Sequence, residues 1–102
     1  MQIGWIKFLI AQYGVYDKKS DSLYISHQNN NILKLNAKSL KACDTFRTRI
    51  TGTVLGLESS DNFLIVITKE PSSENPIDNF IIYLVEKNYG TILKTTYLRK
   101  ES

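Results

Sequence analysis

The fold of this chain is decided by residues 75–90, which read NPIDNFIIYLVEKNYG. Asn75 followed by Pro76 is typical of a helix start, because asparagine caps the first turn and proline fits its first position. Apolar residues then recur at the spacing of one helical face, and Gly90 stands where a C-terminal cap is expected. A strand here would be apolar on both faces. The pattern therefore favours an amphipathic helix over about residues 76–89.

The predicted helix carries more apolar surface than one contact needs. At about 100° per residue, its apolar side chains fall into two neighbouring stripes. The first stripe consists of Ile77, Phe80, Ile81 and Leu84. The second consists of Ile82, Val85 and Tyr89. One stripe would cover the rest of the domain and the other would face a partner protein, unless a groove of the same domain buries both. We therefore predict a partner interface drawn from Ile77, Phe80, Ile81, Leu84, Val85 and Tyr89.

The residues before this segment read as five strands, because β-branched and aromatic residues alternate there between turn-forming stretches. Strands are predicted at residues 5–16, 22–27, 32–36, 46–56 and 62–69. A short helical crossing at residues 37–43 separates the third strand from the fourth. This layout is typical of a small closed barrel of the OB-fold type. The two halves also share a hairpin character with propeller blades, but two blades alone could not close a ring.

Length and composition indicate one domain. The chain has 102 residues, 42% of them hydrophobic, and a net charge of +3. We expect a single OB-fold domain over residues 1–102, with the barrel at about 5–69, the helix at about 76–89 and an unassigned tail at 91–102. The mild positive charge permits nucleic-acid binding without requiring it. The longest apolar run is too short for a membrane span, and one cysteine suits a reducing compartment, so we expect a soluble intracellular protein.

Catalysis is not predicted. His27 and Cys43 are the only histidine and cysteine, which excludes a zinc site of the usual type, although spacing alone leaves a Cys–His pair open. Phosphate-binding glycine motifs are missing from the sequence, and the acidic residues cluster in predicted loops. We therefore expect no enzyme, no cofactor, no metal and no small-molecule substrate.

Several cations and one tyrosine could form a nucleic-acid surface. Alternation places them away from the predicted core or on the first hairpin tip: Lys18, Lys19, Tyr24, Lys34, Arg47 and Arg49. Cations would hold phosphates and the aromatic ring would stack on bases, as in proteins that bind single strands. A solvated strand face explains the same pattern equally well.

The order of segments resembles the Ten family, the small T subunits of the telomere-capping CST complex, which are related to the smallest subunit of replication protein A. The resemblance covers roughly residues 6–89. It is carried by a glycine in the first strand, Tyr16-Asp17 at the turn, a second strand ending in His27, Leu40 in the crossing segment, and the TGTVLG strand.

The resemblance implies an OB-fold protein of the nucleus and telomeric chromosome end. It would form a heterodimer with an Stn-type OB-fold protein and assist in capping single-stranded telomeric DNA, which it would bind only weakly alone. Its partner contacts would come from the helix, and its secondary DNA contacts from Lys34, Arg47 and Arg49.

Two alternatives remain. The stretch ITGTVLGLESSDNFLIVI at residues 50–67 resembles the first half of an Sm-type RNA-binding fold, whose members form rings. However, no matching second half follows, and that fold opens with a helix rather than a strand. The other alternative is a small scaffold, such as a replication protein A-type subunit. Assembly separates the three: a heterodimer, a homomeric ring or a monomer.

Overall fold

The computed structural model describes residues 11–27, 32–70 and 80–98. Within these ranges the chain forms seven β-strands and no helix. The strands are β1 (Ala11–Asp17), β2 (Ser22–His27), β3 (Ile32–Asn36), β4 (Thr53–Ser59), β5 (Phe63–Lys69), β6 (Phe80–Glu86) and β7 (Ile92–Leu98). Consequently, none of the described residues lies in a helix that could cross a membrane.

The strands form two antiparallel meanders. Sheet A has the order β1-β2-β3, and sheet B has the order β4-β5-β6-β7, so every strand pairs only with its neighbours in the sequence. The first strands of the two sheets, β1 and β4, approach each other within 8 Å between Cα atoms but form no ladder. The two sheets are therefore stacked and come closest along their first strands.

A shared core joins the sheets. Tyr24 of β2 is fully buried, and its ring meets that of Phe46 edge to face with centroids 5.5 Å apart. The core also takes alternate residues of the strands and of the link between the sheets: Ile32, Ile50, Val54, Leu57, Leu64, Val66, Ile81, Tyr83 and Val85. A smaller cluster of Leu23, Ile25 and Leu35 occupies the opposite face of sheet A. Sheet A is therefore apolar on both sides.

The predicted closed barrel is wrong. The described strands divide into two open sheets, because no ladder connects β1 or β3 to sheet B. The predicted fourth strand is also shorter than expected, since residues 46–50 are extended but belong to no ladder and β4 begins at Thr53. The predicted helical crossing is a turn followed by a single bridge between Leu35 and Ala42.

The predicted C-terminal helix is wrong over its described part. Phe80–Glu86 form β6, in which burial alternates with a period of two. Gly90 does not cap a helix; it lies in the turn to β7 with a φ of 82°. The start signal at Asn75 and Pro76 lies outside the described residues. The tail left unassigned by the sequence contains β7, which pairs with β6 along its length.

Gly90 fits a place that no other residue fits well. A Cβ there would lie 2.5 Å from the carbonyl oxygen of Arg47, whose own backbone N–H donates to the carbonyl of Tyr89 at 2.9 Å. The β6–β7 turn and the link between the sheets are thus in direct backbone contact.

Replacing Gly90 should destabilise the protein. Gly90→Ala adds both a left-handed backbone penalty and a clash with fixed backbone, so we expect a loss of about 2 kcal/mol or more in the free energy of unfolding. Gly56→Ala is the matched control, because its Cβ would lie 3.7 Å from the Ile67 side chain, an ordinary contact. Urea unfolding compares the two variants. Equal losses would contradict this account of the turn.

Candidate functional site: an apolar sheet face

The side of sheet B that faces away from sheet A is apolar in its centre. On β5, Leu64 and Val66 point into the core, while the alternate residues Ile65 and Ile67 point outward and are partly exposed. β6 behaves in the same way, with Ile81, Tyr83 and Val85 inward. We call the outward side the outer face; its apolar residues on β5 and β6 are Phe63, Ile65, Ile67, Phe80, Ile82 and Leu84, and Leu98 of β7 is exposed opposite Phe80.

The strand register arranges the outer face in rows. Ile67 lies opposite Ile82, and Ile65 lies opposite Leu84, so four aliphatic side chains form the centre. Phe63 and Phe80 stand at diagonally opposite corners. In the Ile67–Ile82 row the neighbouring positions on the flanking strands are small, since Gly56 extends the row on β4 and Thr96 extends it on β7. This row therefore stands clear of its neighbours on the flanking strands.

Charged residues border this apolar centre. Glu58 on β4 pairs with Ile65, and Lys94 on β7 pairs with Leu84, so both charges lie in one row with exposed side chains. At the corner, the ammonium of Lys69 lies 5.8 Å from the centre of the Phe80 ring. An apolar centre with a charged border is the usual anatomy of a protein contact surface.

A polar network closes one end of the stack. The ammonium of Lys87, in the β6–β7 turn, lies 3.1 Å from the Asp17 carboxylate, with 9% of each side chain exposed, and it also donates to the carbonyl of Ser60. The carbonyl of Lys87 accepts hydrogen bonds from the Tyr24 hydroxyl at 3.1 Å and from the Lys34 ammonium at 2.8 Å. These groups line a cleft of about 350 Å³. Because they satisfy one another, the network joins the sheets rather than presenting a reactive group.

Burial and hydrogen bonding set the protonation of this network. Burial alone would raise the pKa of the Asp17 carboxyl, but the hydrogen bond from Ser20 and the bond and charge of Lys87 outweigh it and hold that pKa below its usual range. Burial raises the pKa of Tyr24 to about 12. The Tyr24 hydroxyl therefore stays protonated at neutral pH and remains a donor to Lys87.

The residues predicted to bind nucleic acid do not form one common surface. Tyr24 is fully buried, so it cannot stack on a base, and Lys34 donates to the Lys87 carbonyl. Lys18 and Lys19 are exposed on the β1–β2 turn. The remaining two are together: Arg47 and Arg49 are exposed on the extended link and line two clefts of about 350 and 310 Å³.

The predicted partner residues are divided between the two sides of β6. Phe80 and Leu84 lie on the outer face, whereas Ile81 and Val85 belong to the core. Tyr89 lies in the following turn and is 64% exposed. Ile77 falls outside the described residues. Four residues of the outer face on β5 and β6 were not predicted as contacts: Phe63, Ile65, Ile67 and Ile82. The sequence feature that could have identified them is that both β5 and β6 have apolar residues on both of their sides.

The chemistry-bearing residues do not assemble elsewhere. Among residues 11–27, 32–70 and 80–98, no group of three histidine, cysteine or acidic side chains could hold a metal ion. Cys43 is half-buried, and its Sγ lies 3.3 Å from the hydroxyl of Thr45. That hydrogen bond lowers the pKa of the Cys43 thiol.

Comparison with known proteins leaves the geometry as the basis for function. No protein-family model matches the chain, and no curated protein or solved structure matches it significantly. Among the described residues, the outer face of sheet B is the surface whose composition indicates a function.

The ion pair between Asp17 and Lys87 should govern stability. Lys87→Met leaves a buried carboxylate without its counter-charge, so we expect a loss of about 3 kcal/mol or more in the free energy of unfolding. Asp17→Asn/Lys87→Met should lose less, because the amide oxygen can replace Oδ1 as acceptor for the Lys19 N–H, and the amide nitrogen at the place of Oδ2 can donate to the Ser20 hydroxyl. Urea unfolding gives both values. A double variant as unstable as Lys87→Met would contradict this assignment.

The same pair predicts a pH dependence. The pKa of Asp17 is depressed in the folded protein, so its stabilisation is complete above the ordinary carboxyl value of 3.8 and is lost as the pH falls through the folded value. Stability of the native sequence should therefore fall below about pH 4. Asp17→Asn/Lys87→Met should fall less over the same range. Parallel pH curves would mean that other carboxyls dominate acid unfolding.

Arg47 and Arg49 provide the remaining test of nucleic-acid binding. If they contact phosphates, Arg47→Glu/Arg49→Glu should lower the affinity for oligothymidine at least tenfold at low salt and flatten its salt dependence. Lys38→Glu/Lys41→Glu is the control, because it changes the net charge equally at exposed positions nearby in the sequence. Fluorescence anisotropy measures both. An equal loss of affinity in both variants would mean that net charge, rather than contact by Arg47 and Arg49, determines binding.

Proposed function

We propose that this protein is an interaction module that docks another β-sheet against the outer face of sheet B. The observation that carries the proposal is the apolar character of β5 and β6 on both sides. Their inward residues are already covered by sheet A, whereas their outward residues Ile65, Ile67, Ile82 and Leu84 are partly exposed. Strands that are apolar on both faces are typical of sheets covered on both faces.

The architecture supports the same conclusion. Two consecutive meanders stacked along their first strands are arranged like neighbouring blades of a β-propeller, in which each sheet packs against a sheet on either side. On the outer face of sheet B, the outward residues of β5 and β6 are only partly buried by the described residues. The chemistry that fits this face is a second twisted sheet with aliphatic side chains at its centre.

The telomere-capping function stays a prediction from resemblance. It depended on an OB barrel and a C-terminal helix, and the described residues form two open sheets instead. The heterodimer with an Stn-type protein, the telomeric single strand and the nuclear location therefore do not enter this proposal.

Site-specific photocrosslinking in the native cells tests the proposal. A benzophenone amino acid at position 82 lies at the centre of the outer face and should give a discrete crosslinked product, mapped by mass spectrometry to aliphatic residues of a strand in the partner. The product should disappear when Ile67→Lys is added. Position 38 is the control, because the Lys38 side chain is 87% exposed in a turn away from sheet B.

Two outcomes would overturn the proposal. One is the absence of any product from position 82 in a protein with a native circular dichroism spectrum. The other is the same set of products from positions 38 and 82, which would indicate collisions rather than docking. A product that persists with Ile67→Lys would likewise place the contact elsewhere.

A further inference from the structure

We infer that the sheet docked on the outer face belongs to a second copy of this chain, related by a two-fold axis close to the direction of the strands. This inference rests on the proposed function and names its partner. The supporting observation is the charge pattern on the border of the outer face. In one orientation of two copies, each acidic residue of the border faces a basic residue of the other copy, and in the alternative orientation it does not.

The favourable orientation follows from the register. An axis along the strands places β4 over β7 of the second copy and β5 over its β6, with each row facing itself. Glu58 and Lys94 occupy opposite ends of one row, with Ile65 and Leu84 between them. Glu58 of each copy then faces Lys94 of the other, which gives two symmetric ion pairs on either side of an apolar centre.

The apolar residues match in the same orientation. Ile65 faces Leu84 of the second copy, and Ile67 faces its Ile82. Lys69 faces Phe80 of the second copy, which extends the cation–π contact that Lys69 already makes within one chain. Gly56 faces Thr96, two small residues that allow the aliphatic centres to approach.

Glu86 does not oppose this arrangement. Glu86 pairs with Phe63 in the register, so in the dimer Glu86 of one copy would face the Phe63 ring of the second copy. However, its carboxylate accepts backbone hydrogen bonds from Asn88 at 2.6 Å and from Tyr89 at 2.7 Å. The charge of Glu86 is therefore directed to its own turn and satisfied there.

The other orientation fails on the same criteria. An axis across the strands reverses the order of the rows, so Lys69 faces Phe63 and Glu86 faces Phe80, while Glu58 and Lys94 no longer face each other. Each copy would then lose both ion pairs. The charge pattern thus selects one of the two simple ways in which a sheet face can pack on itself.

The size of the face sets the expected strength. Four strands of seven residues cover about 19 Å by 23 Å, or roughly 440 Å² on each copy, which is the size of weak, transient protein interfaces. We expect a dimer in the micromolar range, populated at high protein concentration and dissociating on dilution.

Charge reversal in the purified protein tests the inference. Sedimentation equilibrium over a wide concentration range should show a monomer–dimer equilibrium. Glu58→Lys alone brings lysines together and Lys94→Glu alone brings glutamates together, twice in each dimer, so each should weaken dimerisation at least tenfold. Glu58→Lys/Lys94→Glu should restore it to near the native level. Asp44→Lys, an exposed charge change on the link between the sheets, is the control and should have no effect.

The outcomes separate this inference from the proposed function. A protein that stays monomeric at all concentrations overturns the second copy as occupant, and a crosslink from position 82 to a different protein would still uphold docking on this face. A dimer that withstands Ile67→Lys uses another surface and overturns the inference. A dimer in which the double reversal fails to rescue the single ones overturns the orientation.

Discussion

One residue, Lys87, holds the two sheets in place. Its ammonium contacts Asp17 at the end of β1 and the carbonyl of Ser60 beside β5, and its carbonyl accepts from Tyr24 of β2 and Lys34 of β3. A single position in the β6–β7 turn therefore touches every strand of sheet A. Because the charge of Lys87 is buried, loss of its partners would greatly lower the free energy of unfolding. At this end, the stacking of the sheets is therefore fixed by electrostatics as well as by the apolar core.

This anchoring makes the two sides of sheet B unlike. On β5 and β6 the inner side is covered by sheet A, the buried tyrosine and the network around Lys87. The outer side has an equally apolar centre but only a border of charges, with Glu58 and Lys94 at the ends of one row. A sheet built with two apolar sides is complete only when both are covered. The function argued for this chain follows from that asymmetry rather than from any reactive group.

Local patterns predicted several strands well, but not the crossing segment or the segment that follows residue 75. The predicted strands at residues 22–27 and 32–36 coincide with β2 and β3, because alternation and turn residues define them. At Phe80–Val85 every residue is apolar, so a helical spacing can be selected from a continuous run, and only pairing with β5 and β7 decides for a strand. Tyr24 shows the same limit. Alternation correctly predicted that Tyr24 and Ile25 lie on different sides of sheet A, but it did not predict that both sides are buried.

The meander order has a consequence for how the chain folds. Every ladder joins strands adjacent in the sequence, so each sheet can assemble from short-range hairpins with little loop-closure entropy. The distant contacts are those of docking, in which the Tyr24 hydroxyl reaches a carbonyl 63 residues away. Formation of the sheets and their union are thus distinct events, and the cooperativity of unfolding depends on the shared core and the Lys87 network that join the sheets.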